Sequence, residues 1–564
     1  MRKLTIILIM ITLSYSGLLA YDLGDSIEKK IDGIISKMTL EEKAAMLGGD
    51  TTGFDSKPLA HLDIPALRMT DGPNGVRWGA STAFPVGVCM AATWDTSLVY
   101  ELGQALARET KAQGRNVLLG PCVNIHRDAH AGRNFESYGE DPYLAARMAV
   151  NWVKGLQSEQ VVATTKHFAV NNQEFERNSM DSRVDERVLR EIYFPAFKAA
   201  VQEGNTWSIM SSYNRVNGQY ASSNTWLLND ILKDEWGFEG FVMSDWGAVH
   251  SIVPTLYAGL DIEMPNGKYL NIENVVQAIQ EGRMKESKVD EKIRRMLRTM
   301  FAMNLFENEI PPGAAVHTPE HIELARKVAE AGIVLLKNDN DILPLDLKKI
   351  KNLAVLGPNA DVLRTGGGGS SKIDPIEAKS PYQALKELLP EVEVNYSPGM
   401  FVPDDLDLIP GDMLSNGKGK PGLLGQYYSN PDFQGKPEKV QTDTQIDFSW
   451  GQGGPTDMKT DNFSVVWTGK LTAPTSGKYY LGTTSDDGSR VYINGKRIVD
   501  NWGDHADQTR IGMVELSADT PVDIKVQVYE HGGNATIKLL WQKVIDSPQE
   551  TAINLAKSAD AAIL

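Results

Sequence analysis

Short apolar runs alternate with longer amphipathic stretches from about residue 66 to residue 243. The runs are Ala66–Met69, Asn116–Leu119, Val161–Thr165, Ser208–Ser211 and Phe241–Met243, each short enough for a buried strand. Between them, LVYELGQALARETKAQG and PYLAARMAVNWVKGLQ repeat apolar residues at helical spacing. Upstream, SKMTLEEKAAML predicts a helix with Thr39 as N-cap and Glu42 as its capping-box partner. Strand-then-helix alternation predicts a parallel α/β domain, expected as a (β/α)8-type barrel.

The residues just past each run are more telling. The runs lead to Asp71-Gly72-Pro73-Asn74-Gly75-Val76-Arg77, to Gly132-Arg133-Asn134-Phe135-Glu136, to Lys166-His167-Phe168, to Tyr213-Asn214 and to Asp245-Trp246. One polar strand end is unremarkable, whereas a succession of them points to a shared pocket at the C-terminal mouth of a barrel. Asp245, a carboxylate set against an indole, reads in isolation either as a strand-end Asp capping the next helix or as the nucleophile of a sugar-cleaving enzyme.

The pattern breaks at Pro311-Pro312-Gly313, a linker signal. A second α/β segment comes next, with helical HIELARKVAEAG and strand-like Ile333–Leu336 and Leu353–Leu356. The glycines Gly366–Gly369 lack the Gly-Lys-Ser/Thr of a phosphate loop, so a flexible loop facing a neighbouring domain is expected. Past Ser415 the helical period disappears. FSVVWTGKL, GKYYLGTT, SRVYINGKRIV, VDIKVQVYEHG and ATIKLLWQ are strand-like, and Asn494-Gly495 is a hairpin turn. Helical TAINLAKSAD and strand-like Ala561–Leu564 then resume the α/β character. The expected organisation is a signal segment at 1–20, a barrel at 21–305, an α/β sandwich begun at 306–415 and resumed, incomplete, at 550–564, and an all-β sandwich inserted at 420–545.

The 564 residues carry 57 Lys plus Arg against 73 Asp plus Glu, a net charge of −16. That balance disfavours nucleic acid or anionic membrane as a partner. MRKLTIILIMITLSYSGLLA has the basic start, apolar core and small-residue end of a secretory signal, with cleavage expected near Ala20. The predicted location is secreted or periplasmic, with no membrane span after signal removal. The 2 cysteines, Cys89 and Cys122, sit in apolar segments and are expected as buried free thiols.

The motifs DGPNGVR (71–77), GRNFESYGEDPYL (132–144), KHF (166–168), MSSYN (210–214) and SDW (244–246) resemble glycoside hydrolase family 3, in its β-glucosidase branch. GLLGQYY (422–428), SGKYYLGTTSDDGSRVYINGKRIVDNW (476–502) and YEHGGNATIKLLW resemble the protective-antigen-type (PA14) β-sandwich. The resemblance implies a retaining, exo-acting β-glucosidase with Asp245 as nucleophile. It implies that Asp71, Arg77, Arg133, Lys166 and His167 grip sugar hydroxyls, that Tyr213 orients the nucleophile, and that Met210 and Trp246 wall the pocket. Arg133 and Lys166 are expected to lower the Asp245 pKa. No cofactor or metal is implied, and the partners are small β-glucosides and short oligosaccharides.

A retaining glycosidase needs a second carboxylate as acid and then base. The family takes it from the sandwich domain beyond the insert, so that Glu is expected past residue 564. The Lys-His-Phe-Pro-Gly-His run of the β-N-acetylglucosaminidases reads Lys166-His167-Phe168-Ala169-Val170-Asn171 here, so their barrel-loop acid does not transfer. The alternatives are a β-xylosidase or other exo-β-glycosidase of the family, or a catalytically impaired glycan-binding fragment. Two readings of the insert stay open: a lectin, or a wall of the active site. So do two readings of Asp486-Asp487, a hairpin turn or a calcium loop.

Overall fold

A computed structural model describes residues 26–307, 315–401, 406–451, 453–458, 460–544 and 548–564. The signal-like segment 1–20 and the linker signal Pro311-Pro312-Gly313 lie outside the described residues. Five strands form a parallel sheet in chain order: β1 (Met69–Asp71), β2 (Val117–Leu119), β3 (Val162–Phe168), β4 (Ser208–Ser211) and β5 (Phe241–Ser244). Their apolar residues are fully enclosed, as expected for parallel strands covered on both faces.

Isolated bridges carry the sheet round into a ring. Met243 bridges Ile262 and Gly48 bridges Glu263, both in parallel. Gly49 then bridges Ser56 and Asp55 bridges Arg68, both antiparallel. The amides of Glu263, Asp50 and Met69 donate to the carbonyls of Leu47 (2.8 Å), Asp55 (2.8 Å) and Phe54 (2.9 Å). The ring therefore closes on β1 with eight segments, and residues 54–56 run against the other seven. The expected (β/α)8-type barrel is present with one reversed stave.

Helices fill the crossovers where their caps predict. Thr39 accepts from the Glu42 amide, and the Glu42 carboxylate accepts from the Thr39 amide, a complete capping box. Asp95 caps Thr96–Ala112 and Asp141 caps Pro142–Ser158, each accepting two amides of the first turn.

Strand limits differ from the sequence reading in ways that matter. Asp71 is the last residue of β1 rather than part of the loop beyond it, and Lys166, His167 and Phe168 still belong to β3. Apolar runs mark where a strand is buried, whereas the polar ends are held singly: Asp71 pairs Leu119, Lys166 bridges Cys122 and Phe168 pairs Ser211. Ile333–Leu336 is no strand. Helix Pro319–Gly332 ends there, and Val334, Leu335 and Leu336 are 60%, 61% and 90% exposed. The run forms no ladder with any described residue, and β-propensity without a partner does not make a strand.

Packing divides the chain into two units. The barrel unit takes the described residues up to Ile342 together with Leu363–Lys379. The return segment is held at Ser81, which bridges Pro375 and exchanges backbone bonds with Asp374 and Ile376. The second unit, Leu343–Val362 and Ser380–Leu564, contains a parallel sheet of Glu393–Ser397, Asn352–Leu356 and Ala561–Ile563. It also contains two antiparallel sheets, around Gly477–Ser485 and Phe463–Leu471, that enclose one apolar core. Asn494 and Gly495 both take positive φ (48° and 79°), as their hairpin turn requires. Within that core, Asp443 accepts from Tyr427 Oη (2.5 Å), Trp467 Nε1 (2.7 Å) and Gln441 Nε2 (2.7 Å). Both cysteines are free, Cys122 buried and Cys89 half-buried, so only one of the two meets the expectation of full burial. Among the described residues, no helix is long and apolar enough to cross a membrane.

Candidate active site

A cavity of about 420 Å³ opens at the C-terminal mouth of the barrel. All nine residues singled out from the sequence line it: Asp71, Arg77, Arg133, Lys166, His167, Met210, Tyr213, Asp245 and Trp246.

Asp71 and Arg77 reach it through a tight turn. The Arg77 amide donates to the Asp71 carbonyl (3.0 Å), folding the DGPNGVR loop back on itself. A Cβ on Gly72 would sit 2.2 Å from the Gly75 carbonyl oxygen, so this turn tolerates only glycine there. Lys166 Nζ donates to Asp71 Oδ1 (3.2 Å), and Arg77 Nη1 lies 3.6 Å from Oδ2. Lys166 is buried and Arg77 exposed, so the carboxylate is gripped from below and from the rim. Lys166 and His167 are consecutive yet both face the cavity, where the β3–β4 register slips between Thr165 and Phe168.

His167 is held by Asn124, which donates to its carbonyl (3.0 Å) and accepts from its amide (2.9 Å). Asn124 Oδ1 also lies 3.0 Å from Nδ1. Burial, then Arg133, Lys166 and Arg177, push the imidazole pKa well below its ordinary value, so it stands neutral. Arg133 bonds Ser370 Oγ (3.2 Å) and pairs with buried Glu136 (2.5 Å), which also accepts from Ser371. Burial opposes the Arg133 charge, but Glu136, Cys122, Asp245 and Glu174 outweigh it and hold the guanidinium charged.

Asp245 comes directly after β5 and is buried. Its Oδ1 accepts the Trp246 amide (2.8 Å). Its Oδ2 is enclosed and accepts no close hydrogen bond from the described residues, with His167 Nε2 3.7 Å away. The Tyr213 hydroxyl acts as a longer-range donor to the same carboxylate. Burial raises the Asp245 pKa. Arg133 and Lys166 pull it down, as anticipated, but less than burial lifts it, so the expected net lowering is reversed.

Four lining features escaped the sequence reading, which had already set Phe135 among the strand-end residues. Phe54 packs against Trp246 with ring centroids 5.1 Å apart, while Trp246 Nε1 donates to the Gly53 carbonyl (2.9 Å). Glu174 and Arg177 come from the loop after β3 and pair at 2.7 Å. Phe135 and the run Gly367–Ser370 complete the wall. A Cβ on Gly367 would fall 2.4 Å from the Phe135 ring, so the glycine run, expected to face a domain other than its own α/β segment, packs against the barrel. The NNQEFER stretch just past KHF and the glycine run itself were the available signals.

In the inserted sandwich, Asp487 takes positive φ (56°) in the turn between Gly477–Ser485 and Ser489–Ile493, but these strands lie in different sheets, so Asp486-Asp487 form an inter-sheet turn and not a hairpin. Asp487, Asp504 and His531 come close enough to share a metal ion. Beside them, burial and then Asp487 and Asp486 push the Glu530 carboxyl up to about 8.

The barrel thus carries a buried, half-satisfied carboxylate inside a cage of charged hydrogen-bonding groups at its C-terminal mouth. The chain belongs to glycosyl hydrolase family 3: residues 28–299 match the family's N-terminal domain, and residues 419–548 match the PA14 domain. It is 38% identical over 483 residues to a β-glucosidase of Rhizobium radiobacter, covering 84% of this chain and 57% of that one. It is 38% identical over 480 residues to β-glucosidase B of Emericella nidulans, covering 83% and 56%. The crystal structure of the Kluyveromyces marxianus β-glucosidase in complex with glucose superposes with a TM-score of 0.78 at 31% identity, covering 94% of this chain and 67% of that one. The chain thus spans little more than half the length of these two curated relatives.

Proposed function

We propose that the full protein is a retaining β-glucosidase that removes terminal non-reducing β-D-glucosyl residues from small glucosides and short oligosaccharides. Asp245 attacks the anomeric carbon and forms the covalent glycosyl-enzyme. The observation that carries this reading is the free Oδ2 of Asp245. It is a buried carboxylate oxygen without a close donor, in a cavity that the Asp71–Lys166–Arg77 ion cluster also lines. Hydrogen bonds to charged partners suit a neutral sugar ring, and the Trp246 indole suits its C–H face. The similarity to β-glucosidases supports the choice of sugar.

The cavity's other carboxylates are committed to cations, Asp71 to Lys166 and Glu174 to Arg177. The family resemblance implies an acid/base glutamate in the sandwich domain beyond the insert, and we place it outside these 564 residues, which span 57% of the Rhizobium radiobacter relative. The signal-like start supports export.

The test is mechanism-based labelling with 2,4-dinitrophenyl 2-deoxy-2-fluoro-β-D-glucoside, whose leaving group departs without protonation. The folded chain should acquire one fluoroglucosyl group on the peptide containing Asp245, and Asp245→Asn should acquire none. A label on another residue, or none on the folded chain, sinks the assignment.

A further inference from the structure

Arg177 and Tyr213 stand on the loops after neighbouring strands β3 and β4. The Arg177 guanidinium carbon lies 4.3 Å from the centroid of the Tyr213 ring. On its other side, Arg177 Nη1 donates to Glu174 Oε2 (2.7 Å), and Glu174 Oε1 accepts from Asn171 Nδ2 (3.3 Å). The guanidinium is thereby tethered to the β3 loop and held over the phenol, and Tyr213 lines the same cavity as Asp245, on which its hydroxyl acts at longer range.

We propose that Arg177 is a positioning residue for the nucleophile, acting through the ring of Tyr213. This rests on the reading of Asp245 as nucleophile. A cation on the face of a phenol draws electron density from the ring and makes the hydroxyl a stronger donor. It also keeps the ring from tipping, so the donor stays aimed at the carboxylate. Because Oδ1 is held by the Trp246 amide, a fixed Tyr213 donor sets the rotation of the carboxylate and so the aim of Oδ2. An ordinary half-exposed ion pair between Glu174 and Arg177 would instead contribute little beyond local stability.

The same fluoroglucoside separates these roles in Arg177→Met, Arg177→Lys, Tyr213→Phe and the Arg177→Met/Tyr213→Phe double variant. Arg177→Met should slow the covalent step about tenfold, in line with a desolvated cation–ring contact. Protection by glucose should stay within about twofold, because Arg177 acts on the carboxylate through a ring. Arg177→Lys should recover part of the rate. In the Tyr213→Phe background, loss of Arg177 should add nothing, since the two act as one unit. Parental labelling by Arg177→Met, or an undiminished effect of Arg177→Met in the Tyr213→Phe background, overturns the proposal. Should Arg177→Met not fold, Arg177→Lys and Glu174→Gln read the same step, and parental rates in both overturn it. A parent chain that is never labelled on Asp245 overturns the nucleophile reading and this proposal with it. A labelled parent with an indifferent Arg177→Met overturns this proposal alone.

Discussion

Lys166 Nζ and Asp71 Oδ1 are 3.2 Å apart, joining the ends of β3 and β1 across the intervening β2. The ammonium is almost completely enclosed, so the contact lies in a weakly screened environment. Lys166→Met should weaken glucose binding about 30-fold, the worth of a charge-assisted bond plus a buried carboxylate left to Arg77 alone. Calorimetric titration of Lys166→Met and Asp71→Asn checks this, with similar losses expected from either side.

The raised pKa of Asp245 has a stability sign. Burial, only partly countered by Arg133 and Lys166, makes the folded chain hold this proton more tightly than the unfolded chain does. Stability therefore falls as pH climbs past the ordinary aspartate value of about 3.9. Asp245→Asn should melt higher than the parent at neutral pH, and the gain should shrink as pH drops toward that value. Melting curves across the range give the answer, and a destabilised Asp245→Asn would contradict it.

Gly367 has no room for a side chain because Phe135 occupies the space. Gly367→Ala must push the ring or the loop into the cavity, and glucose affinity should fall about tenfold for a displacement costing about 1–2 kcal/mol. Phe135→Ala should restore much of it in the double variant. Titrating the three variants tests the contact.

Glu530 has the same sign over a higher window. Burial and the facing charges of Asp487 and Asp486 raise its carboxyl to about 8. The parent should lose stability steadily from the ordinary glutamate value, about 4.3, to about 8. Glu530→Gln should lose less across that interval. Chemical denaturation at both ends of the window measures the difference.

Asp443 satisfies two buried donors in the inserted sandwich, Tyr427 Oη and Trp467 Nε1. Asp443→Ala should destabilise the whole chain by about 2–4 kcal/mol, because each stranded donor costs about 1–2 kcal/mol. Denaturant midpoints of parent and variant provide the readout.

Asp71, Lys166, His167, Tyr213 and Asp245 were legible because each terminates or directly succeeds an apolar run. Barrel geometry sends such positions to one mouth. Phe54 was not, because it opens the reversed stave 54–56 and reaches the mouth from a strand's beginning. Glu174 and Arg177 lie several residues into a loop, where no periodicity indicates direction. Gly367 and Ser370 arrive from a segment flanked in sequence by the other packing unit. The net upward shift of Asp245 depends on how completely it is enclosed, which no local pattern reports.

The reversed stave also dictates when the barrel becomes whole. Its seam sets Gly48 against Glu263, so an early hairpin, residues 47–56, must wait for the last stave, 262–264, before the circle is complete. During synthesis the first strands emerge with open lateral edges, and the mouth acquires Phe54 beside Trp246 only at closure. Phe54 and Trp246 stand on opposite sides of the Gly48–Glu263 seam, so the pocket is whole only where the two ends of the sheet meet.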